Sequence, residues 1–178
     1  ATVTDMATNT TEYAYEAESG RRIEVTDALS NTVYTAYDAW GRVTNTWGAT
    51  YPVAYSYDIS GRMTSMRTWR DAGGAPDVTT WQYDAATGLL TNKLYADGNG
   101  TSYEYTPAGQ LASRTWARGI VTDYSYDSLN QLTNITYSDS TSPVSYAYDR
   151  LGRRETIQDA QGTRTFSYDP DTLALTNE

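Results

Sequence analysis

The sequence predicts an all-β protein, a tandem array of antiparallel β-hairpins that form one curved or spiralling sheet. Three observations predict it. A ten-residue run, Tyr55-Ser56-Tyr57-Asp58-Ile59-Ser60-Gly61-Arg62-Met63-Thr64, recurs along the chain. Its second tyrosine falls at Tyr15, Tyr37, Tyr57, Tyr83, Tyr105, Tyr126, Tyr148 and Tyr168, a period of roughly 22 residues and within the range of repeat arrays. No stretch carries a 3.6-residue apolar period, so nothing competes for helix.

Each part of the unit has a physical reason. Tyr-x-Tyr places both rings on one face of a strand, because side chains alternate with period two. Asp38, Asp58 and Asp149 then open a turn, where the carboxylate can accept from the backbone N–H two residues on. Gly41, Gly61 and Gly152, three residues later, suit the left-handed position of a three-residue hairpin loop with a bulge. Pro107 and Pro170 land at the second turn position, which proline favours. Arg42, Arg62 and Arg153 return along the partner strand within reach of their aspartates. An exposed pair of this kind tunes a hairpin without holding it. The next apolar residue (Val43, Met63, Leu90, Leu111, Leu132 or Leu175) faces the tyrosine layer.

Taken in order, residues 1–11 form a partial preceding unit, in which Val3 and Thr4 can supply a strand. Residues 12–178 form one array of about eight hairpins, or about sixteen strands. The first full unit, from Tyr13, has Glu16 for Asp and one extra residue before Gly20. The second has Thr35 where the first ring belongs, with Tyr34 beside it. The fourth, from Trp81, again has the longer turn, ending at Gly88. The last has that length but Leu173 in place of Gly, which counts against its turn. Variable loops separate the units: 47–52, 70–77, 97–100, 117–119, 138–143 and 159–162. Pro52, Pro76 and Pro143 all fall there, off the strands where they would cost a ladder bond. No linker divides the chain into domains.

Composition fits a thin sheet. Tyr numbers 17, Trp five and Phe one, and mean hydropathy is −0.64. The apolar surface is therefore carried by rings that can keep one edge wet. Tyrosine layers, not a thick aliphatic core, are expected. There is no Cys to form a disulfide framework, and no His to act as metal ligand or general base. A net charge of −9 argues against nucleic acid or an anionic membrane as partner. No run approaches 18 apolar residues, so no membrane-spanning helix is expected. The chain opens on Ala1-Thr-Val-Thr-Asp without a basic and apolar leader. That start fits a mature product or, the preferred reading, a piece of a longer array.

The Tyr-Asp-x-x-Gly-Arg unit at this period resembles the YD repeat of the Rhs family, which includes bacterial Rhs effectors, ABC-toxin shell subunits and teneurins. The resemblance covers about residues 12–178. It implies a long antiparallel sheet spiralling into a hollow β-shell, which in bacterial toxins encloses a toxic polypeptide. It also implies a secreted or cell-surface bacterial protein, whose partners are the rest of a longer shell or an enclosed polypeptide. The self-cleaving core region of the larger members has no counterpart, since Asp169-Pro170 lies inside a repeat turn. Sixteen strands at ~4.8 Å span about 77 Å, about one turn of a spiral and too little to enclose a folded domain.

Site candidates are few. The Asp and Arg of Tyr37-Asp38-x-x-Gly41-Arg42, Tyr57-Asp58-x-x-Gly61-Arg62 and Tyr148-Asp149-x-x-Gly152-Arg153 could be mistaken for catalytic groups. Their fixed place in every turn makes them structural. Without His, no conventional triad can be assembled, so no catalytic residue, metal or cofactor is expected. Asp97-Gly98-Asn99-Gly100 supplies too few of the six to eight oxygens that calcium takes. Asn9, Asn99 and Asn134 lie in Asn-x-Ser/Thr sequons, which matter only in a eukaryotic secretory setting. Trp47, Trp69, Tyr95, Trp116 and Tyr137 stand near the ends of second strands. They form either a second packing layer or a row of rings for stacking on sugars. The leading expectation is a non-enzymatic shell segment that encapsulates or scaffolds a polypeptide; the alternative is a carbohydrate-binding module.

Overall fold

The computed structural model describes residues 1–71 and 73–177. Ala72, inside the loop 70–77, and Glu178, the end of the expected array, lie outside the described residues. No helix occurs among them. Strand β1 (Thr2–Thr4) precedes seven hairpins. These are β2 (Thr10–Tyr15) with β3 (Arg22–Thr26), β4 (Thr32–Tyr37) with β5 (Val43–Gly48), and β6 (Val53–Tyr57) with β7 (Met63–Thr68). Then come β8 (Asp77–Tyr83) with β9 (Leu90–Leu94) and β10 (Gly100–Tyr105) with β11 (Leu111–Thr115). The last two are β12 (Val121–Tyr126) with β13 (Leu132–Tyr137) and β14 (Val144–Tyr148) with β15 (Arg154–Asp159). Strand β16 (Gly162–Thr165) and the short pair β17 (Ser167–Tyr168) and β18 (Leu175–Asn177) complete the chain.

Strands β1 to β16 hydrogen-bond in chain order in one antiparallel sheet that does not close. The all-β hairpin array read from the repeat is therefore the fold. One detail differs. The strand entering the last turn is cut at Phe166, so β16 pairs with β15 while β17 and β18 form a sheet of their own. The interruption is a single residue, and the Phe166 N–H still donates to the Glu155 carbonyl at 2.9 Å.

The chain falls into two compact units, residues 1–82 with 93–98 and residues 83–92 with 99–178. In the first, Tyr55 lies opposite Met66 and Tyr57 opposite Met63 across hairpin β6–β7. Val25 faces Val33, and Thr46 faces Val53, between hairpins. In the second, Tyr124 lies opposite Ile135 and Tyr126 opposite Leu132, and Tyr146 faces Ile157. The apolar residue after the turn thus sits against the repeat tyrosine, as the period-two alternation requires.

The turns take the expected form. The Gly41 N–H donates to the Asp38 carbonyl at 3.0 Å, and the Asp38 N–H to the Arg42 carbonyl at 2.9 Å. Gly41, Gly61 and Gly152 have φ of +86°, +83° and +78°. The register slips by one residue at the mouth of each of these turns, which is the bulge. Asp38 Oδ1 accepts from the N–H groups of both Trp40 and Arg42, at 2.9 and 3.0 Å.

The last turn forms despite Leu173, which adopts φ +61°. The Asp169 carboxylate carries that turn, accepting from the Asp171 and Thr172 N–H groups and from the Thr172 hydroxyl. Two inter-unit loops use the same device, which the sequence reading did not assign. Asp5 and Asp27 accept from the N–H groups of residues two and four further on, and Asn9 and Asn31 occupy the place of the arginine. Thr8 and Ser30 take the left-handed position there.

A thick core is absent, as the composition predicts. Among the described residues the one buried apolar side chain is Ile157, and the buried polar residues are Ser65, Thr101 and Thr122. Most strand residues are half-buried against neighbours in the same layer. Cohesion between hairpins therefore depends on what joins one unit to the next.

Candidate functional site

The repeat residues converge at the junctions between consecutive hairpins. The hydroxyls of six second tyrosines donate backwards, to a carbonyl of the preceding unit's return strand. In the first compact unit, Tyr37 reaches the Arg22 carbonyl and Tyr57 the Val43 carbonyl, both at 2.8 Å. In the second, Tyr105 reaches Leu90, Tyr126 reaches Leu111, Tyr148 reaches Leu132 and Tyr168 reaches Arg154, at 2.8–2.9 Å. A sheet ladder leaves such a carbonyl unpaired where the bulge breaks the register, and the phenol supplies the donor.

The residue after the turn reaches forwards. Arg42 Nε donates to Asp38 at 2.6 Å, its guanidinium lies 4.5 Å from the Tyr57 ring centroid, and Nη1 donates to the Asp58 carbonyl at 3.4 Å. Arg21 donates to the Asp38 carbonyl at 3.3 Å. Gln110 and Gln131 donate to the Asn130 and Gly152 carbonyls at 2.9 and 3.2 Å. Arg153 pairs with Asp149 at 2.7 Å and lies 4.3 Å from the Tyr168 centroid. The Asp–Arg pair was expected to tune its own hairpin. In fact Arg42 also joins one hairpin to the next, because its planar fork offers donors in two directions.

These contacts shift ionisation in opposite senses. At Asp38, Asp58 and Asp149, partial burial works to raise the pKa. It is outweighed by the arginine's backbone N–H, its side-chain hydrogen bond and its charge, which leave the carboxyl below its usual value. At Asp5 and Asp27 the side-chain bond from Asn9 or Asn31 leads the lowering. Burial raises the hydroxyls of Tyr57, Tyr105 and Tyr126 above an ordinary phenol. Carboxyls lowered by folding stabilise the protein above their unfolded pKa, and that stability is lost as pH falls through the folded value. Phenols raised by folding stabilise it below their unfolded pKa, and that is lost as pH rises through the folded value. Thermal denaturation should therefore show a plateau between about pH 5 and pH 9, with decline below about pH 4 and above about pH 10. A midpoint that climbs steadily from pH 4 to pH 3 would contradict the aspartate turns.

Of the five aromatic candidates, Trp47, Trp69 and Tyr95 lie in the first compact unit and Trp116 and Tyr137 in the second. Trp47 lies opposite Tyr34 on β5 and stacks on it at 5.5 Å between centroids. By alternation both point away from the face that carries Tyr37. Trp47 and Trp69 line a common cleft of about 230 Å³ with Asn45 and Pro52. Tyr95 receives the Lys93 ammonium, 5.2 Å from its centroid, and Trp81 holds the same ammonium at 5.5 Å. Trp116 covers the Arg114 guanidinium at 3.7 Å and donates from Nε1 to Thr122 Oγ1 at 3.2 Å. Tyr137 lies directly opposite that Thr122, which is 2% exposed. Trp116 and Tyr137 thus meet at one buried threonine, and Trp116, at 39%, stays as exposed as Trp47, at 41%. Among the described residues no group of three or more carboxylates converges on a point that could hold a metal ion.

Sequence reasoning missed the backward tyrosine bond, although a signal was present. The second ring of the unit is Tyr in all eight copies, whereas the first varies among Tyr, Trp, Thr and Phe. A position that never accepts Phe needs its hydroxyl.

Residues 105–142 and 126–164 match the family model described as RHS Repeat. Nothing among curated proteins matches the sequence. The crystal structure of TcdB2-TccC3-Cdc42 is similar over 94% of this chain, with TM-score 0.71 and 21% identity. The crystal structure of TcdB2-TccC3 without hypervariable C-terminal region is similar over 94% of this chain, with TM-score 0.50 and 14% identity. At these identities the likeness is one of fold. The chain spans about a tenth of the length of those chains, 10% and 12%. The repeat model thus matches two overlapping copies within residues 105–164, and the turn and tyrosine pattern along the rest of the chain resembles that of the YD/Rhs repeat.

Proposed function

We propose that this chain is a non-enzymatic segment of a β-shell, eight hairpins acting as one array, within a longer secreted or surface-exposed bacterial protein. Its work is to scaffold or enclose a polypeptide. The observation that carries this reading is the junction chemistry. The Asp, Arg and Tyr of the repeat are taken up in bonds from one hairpin to the next, which leaves them no part in a reaction. The likeness in fold to the TcdB2-TccC3 chains supports it, as does the family's use of such sheets as hollow shells.

A shell segment cut from its neighbours keeps open sheet edges, and β1 and β16 are the terminal strands here. Light scattering over a concentration series should therefore show mass rising with concentration. A species that stays monomeric throughout would overturn the shell reading in favour of an autonomous module. The cleft shared by Trp47 and Trp69 favours one second reading, a carbohydrate-binding face. Titration calorimetry against a glycan panel decides it: heat that is lost in Trp47→Ala supports the cleft, and no heat with any glycan removes it.

A further inference from the structure

One junction is built differently from its siblings. Where Arg21, Arg42, Gln110, Gln131 and Arg153 span from one turn to the next, the turn opened by Asp84 is followed by Leu89. Leucine has no donor to send to the next turn. A groove of about 710 Å³ opens there, with Asp84, Leu89 and Thr91 on one side and Tyr105, Pro107 and Gly109 on the other.

The turn glycines measure the difference. A Cβ on Gly41 would lie 2.8 Å from Arg21 Nη2, one on Gly61 3.5 Å from Arg42 Nη1, and one on Gly152 2.9 Å from Gln131 Nε2. At Gly109 nothing lies within 4 Å. The groups that receive the spanning side chain elsewhere are nevertheless present. The Thr106 carbonyl stands where the Asp38 carbonyl accepts from Arg21. The Tyr105 ring stands where Tyr37 receives the Arg21 guanidinium at 5.9 Å. Asp84 opens its turn as Asp38 does, and its Oδ1 accepts from the Ala86 and Thr87 N–H groups and the Thr87 hydroxyl. The Thr87 side chain and then its backbone hold that carboxyl below its usual value, hence ionised at neutral pH.

We propose that this groove binds a guanidinium group, that of an arginine side chain on another polypeptide. It donates to the Thr106 carbonyl and the Asp84 carboxylate and lies on the Tyr105 ring, the three contacts that Arg42 makes with the Asp58 carbonyl, the Asp38 carboxylate and the Tyr57 ring at its own junction. Charge-assisted hydrogen bonds and the ring face favour guanidinium over a neutral isostere. A chain at net charge −9 also draws cations. The groove runs from the turns down past Thr91, which leaves length for the segment that carries the arginine. This inference stands apart from the enclosure reading and holds for an open array as well as for a shell.

The test follows the amide and methyl NMR signals of the whole chain during titration. The probes are N-acetyl-arginine amide, its citrulline counterpart, methylguanidinium, and a Gly/Ser peptide with one central arginine. Saturable shifts confined to residues 84–91 and 103–110 are expected with the arginine amide, with citrulline at least about tenfold weaker. The peptide should bind more tightly than methylguanidinium. Leu89→Arg and Leu89→Gln each supply the spanning side chain and should weaken arginine binding at least about tenfold, with dispersed spectra confirming the fold. Equal shifts from citrulline, or wild-type binding in both variants, would overturn the proposal. Binding of methylguanidinium without the peptide would overturn its polypeptide source.

Discussion

Tyr126→Ala is expected to destabilise the protein by about 3 kcal/mol, the range for truncating a large half-buried ring together with its hydrogen bond. Tyr126→Phe isolates the hydroxyl. It should cost about 1 kcal/mol, because the Leu111 carbonyl loses the donor it has at 2.9 Å. Tyr124→Phe serves as the control. Its hydroxyl has no hydrogen-bond partner among the described residues, so its cost should stay within about 0.5 kcal/mol. The two rings share a face of β12, so burial alone would make the two Phe variants alike. In a repeat array, stability is a sum of intrinsic terms and nearest-neighbour interfaces. Loss of the junction bond should therefore let β10–β11 and β12–β13 exchange their amide hydrogens at separate rates. Equal costs for the two Phe variants, with no change in exchange pattern, would show that the junction is held by ring packing alone.

Gly48→Ala is expected to cost about 2–3 kcal/mol through backbone strain and collision. Gly48 has φ +105°, and a Cβ there would run into the Thr32 carbonyl oxygen and come within 3.1 Å of Tyr34 Cδ2. That carbonyl already accepts from the Ala49 N–H at 2.7 Å, so it cannot withdraw without opening the end of β4–β5. Gly119→Ala is the comparison. Its φ is +83° but its Cβ would meet nothing within 4 Å, which leaves the left-handed penalty of about 1–2 kcal/mol. Hydrogen exchange should place the Gly48 effect in β4 and β5. Similar losses at both glycines would mean that the close approach to Thr32 relaxes freely.

The hairpins were legible because their information is local. Tyr-x-Tyr, the aspartate and the glycine act within ten residues of one another, and each fixes a dihedral or a hydrogen bond by itself. Leu173 shows the limit of reading a turn from one position. Its side chain argued against a left-handed residue, yet the Asp169 carboxylate supplies three acceptor contacts that offset the strain. Asp5 to Asn9 and Asp27 to Asn31 were passed over because Thr8-Asn9 and Ser30-Asn31 stand in for the glycine–arginine pair. The Asp-to-Asn spacing of four residues was the available signal.

The aromatic residues were harder. Trp47, Trp69, Tyr95, Trp116 and Tyr137 occupy similar places in their units, which left a second packing layer and a row of rings equally legible. Whether such a ring stands open or packs on a neighbour depends on the face set by one residue of register and on what lies opposite. Trp116 bonds Thr122, which lies opposite Tyr137, whereas Trp47 lies opposite Tyr34 and stacks on it.

By itself the sequence determined the all-β class, the unit, its turn and the near absence of a core, since period-two alternation and turn chemistry need only neighbours along the chain. Only the tertiary structure decided what joins one hairpin to the next: the tyrosine hydroxyl reaching back, the arginine or glutamine reaching forward, and the groove where Leu89 does neither. Those contacts run between residues some 14–21 positions apart, and their donors and acceptors meet only once the strands are in register.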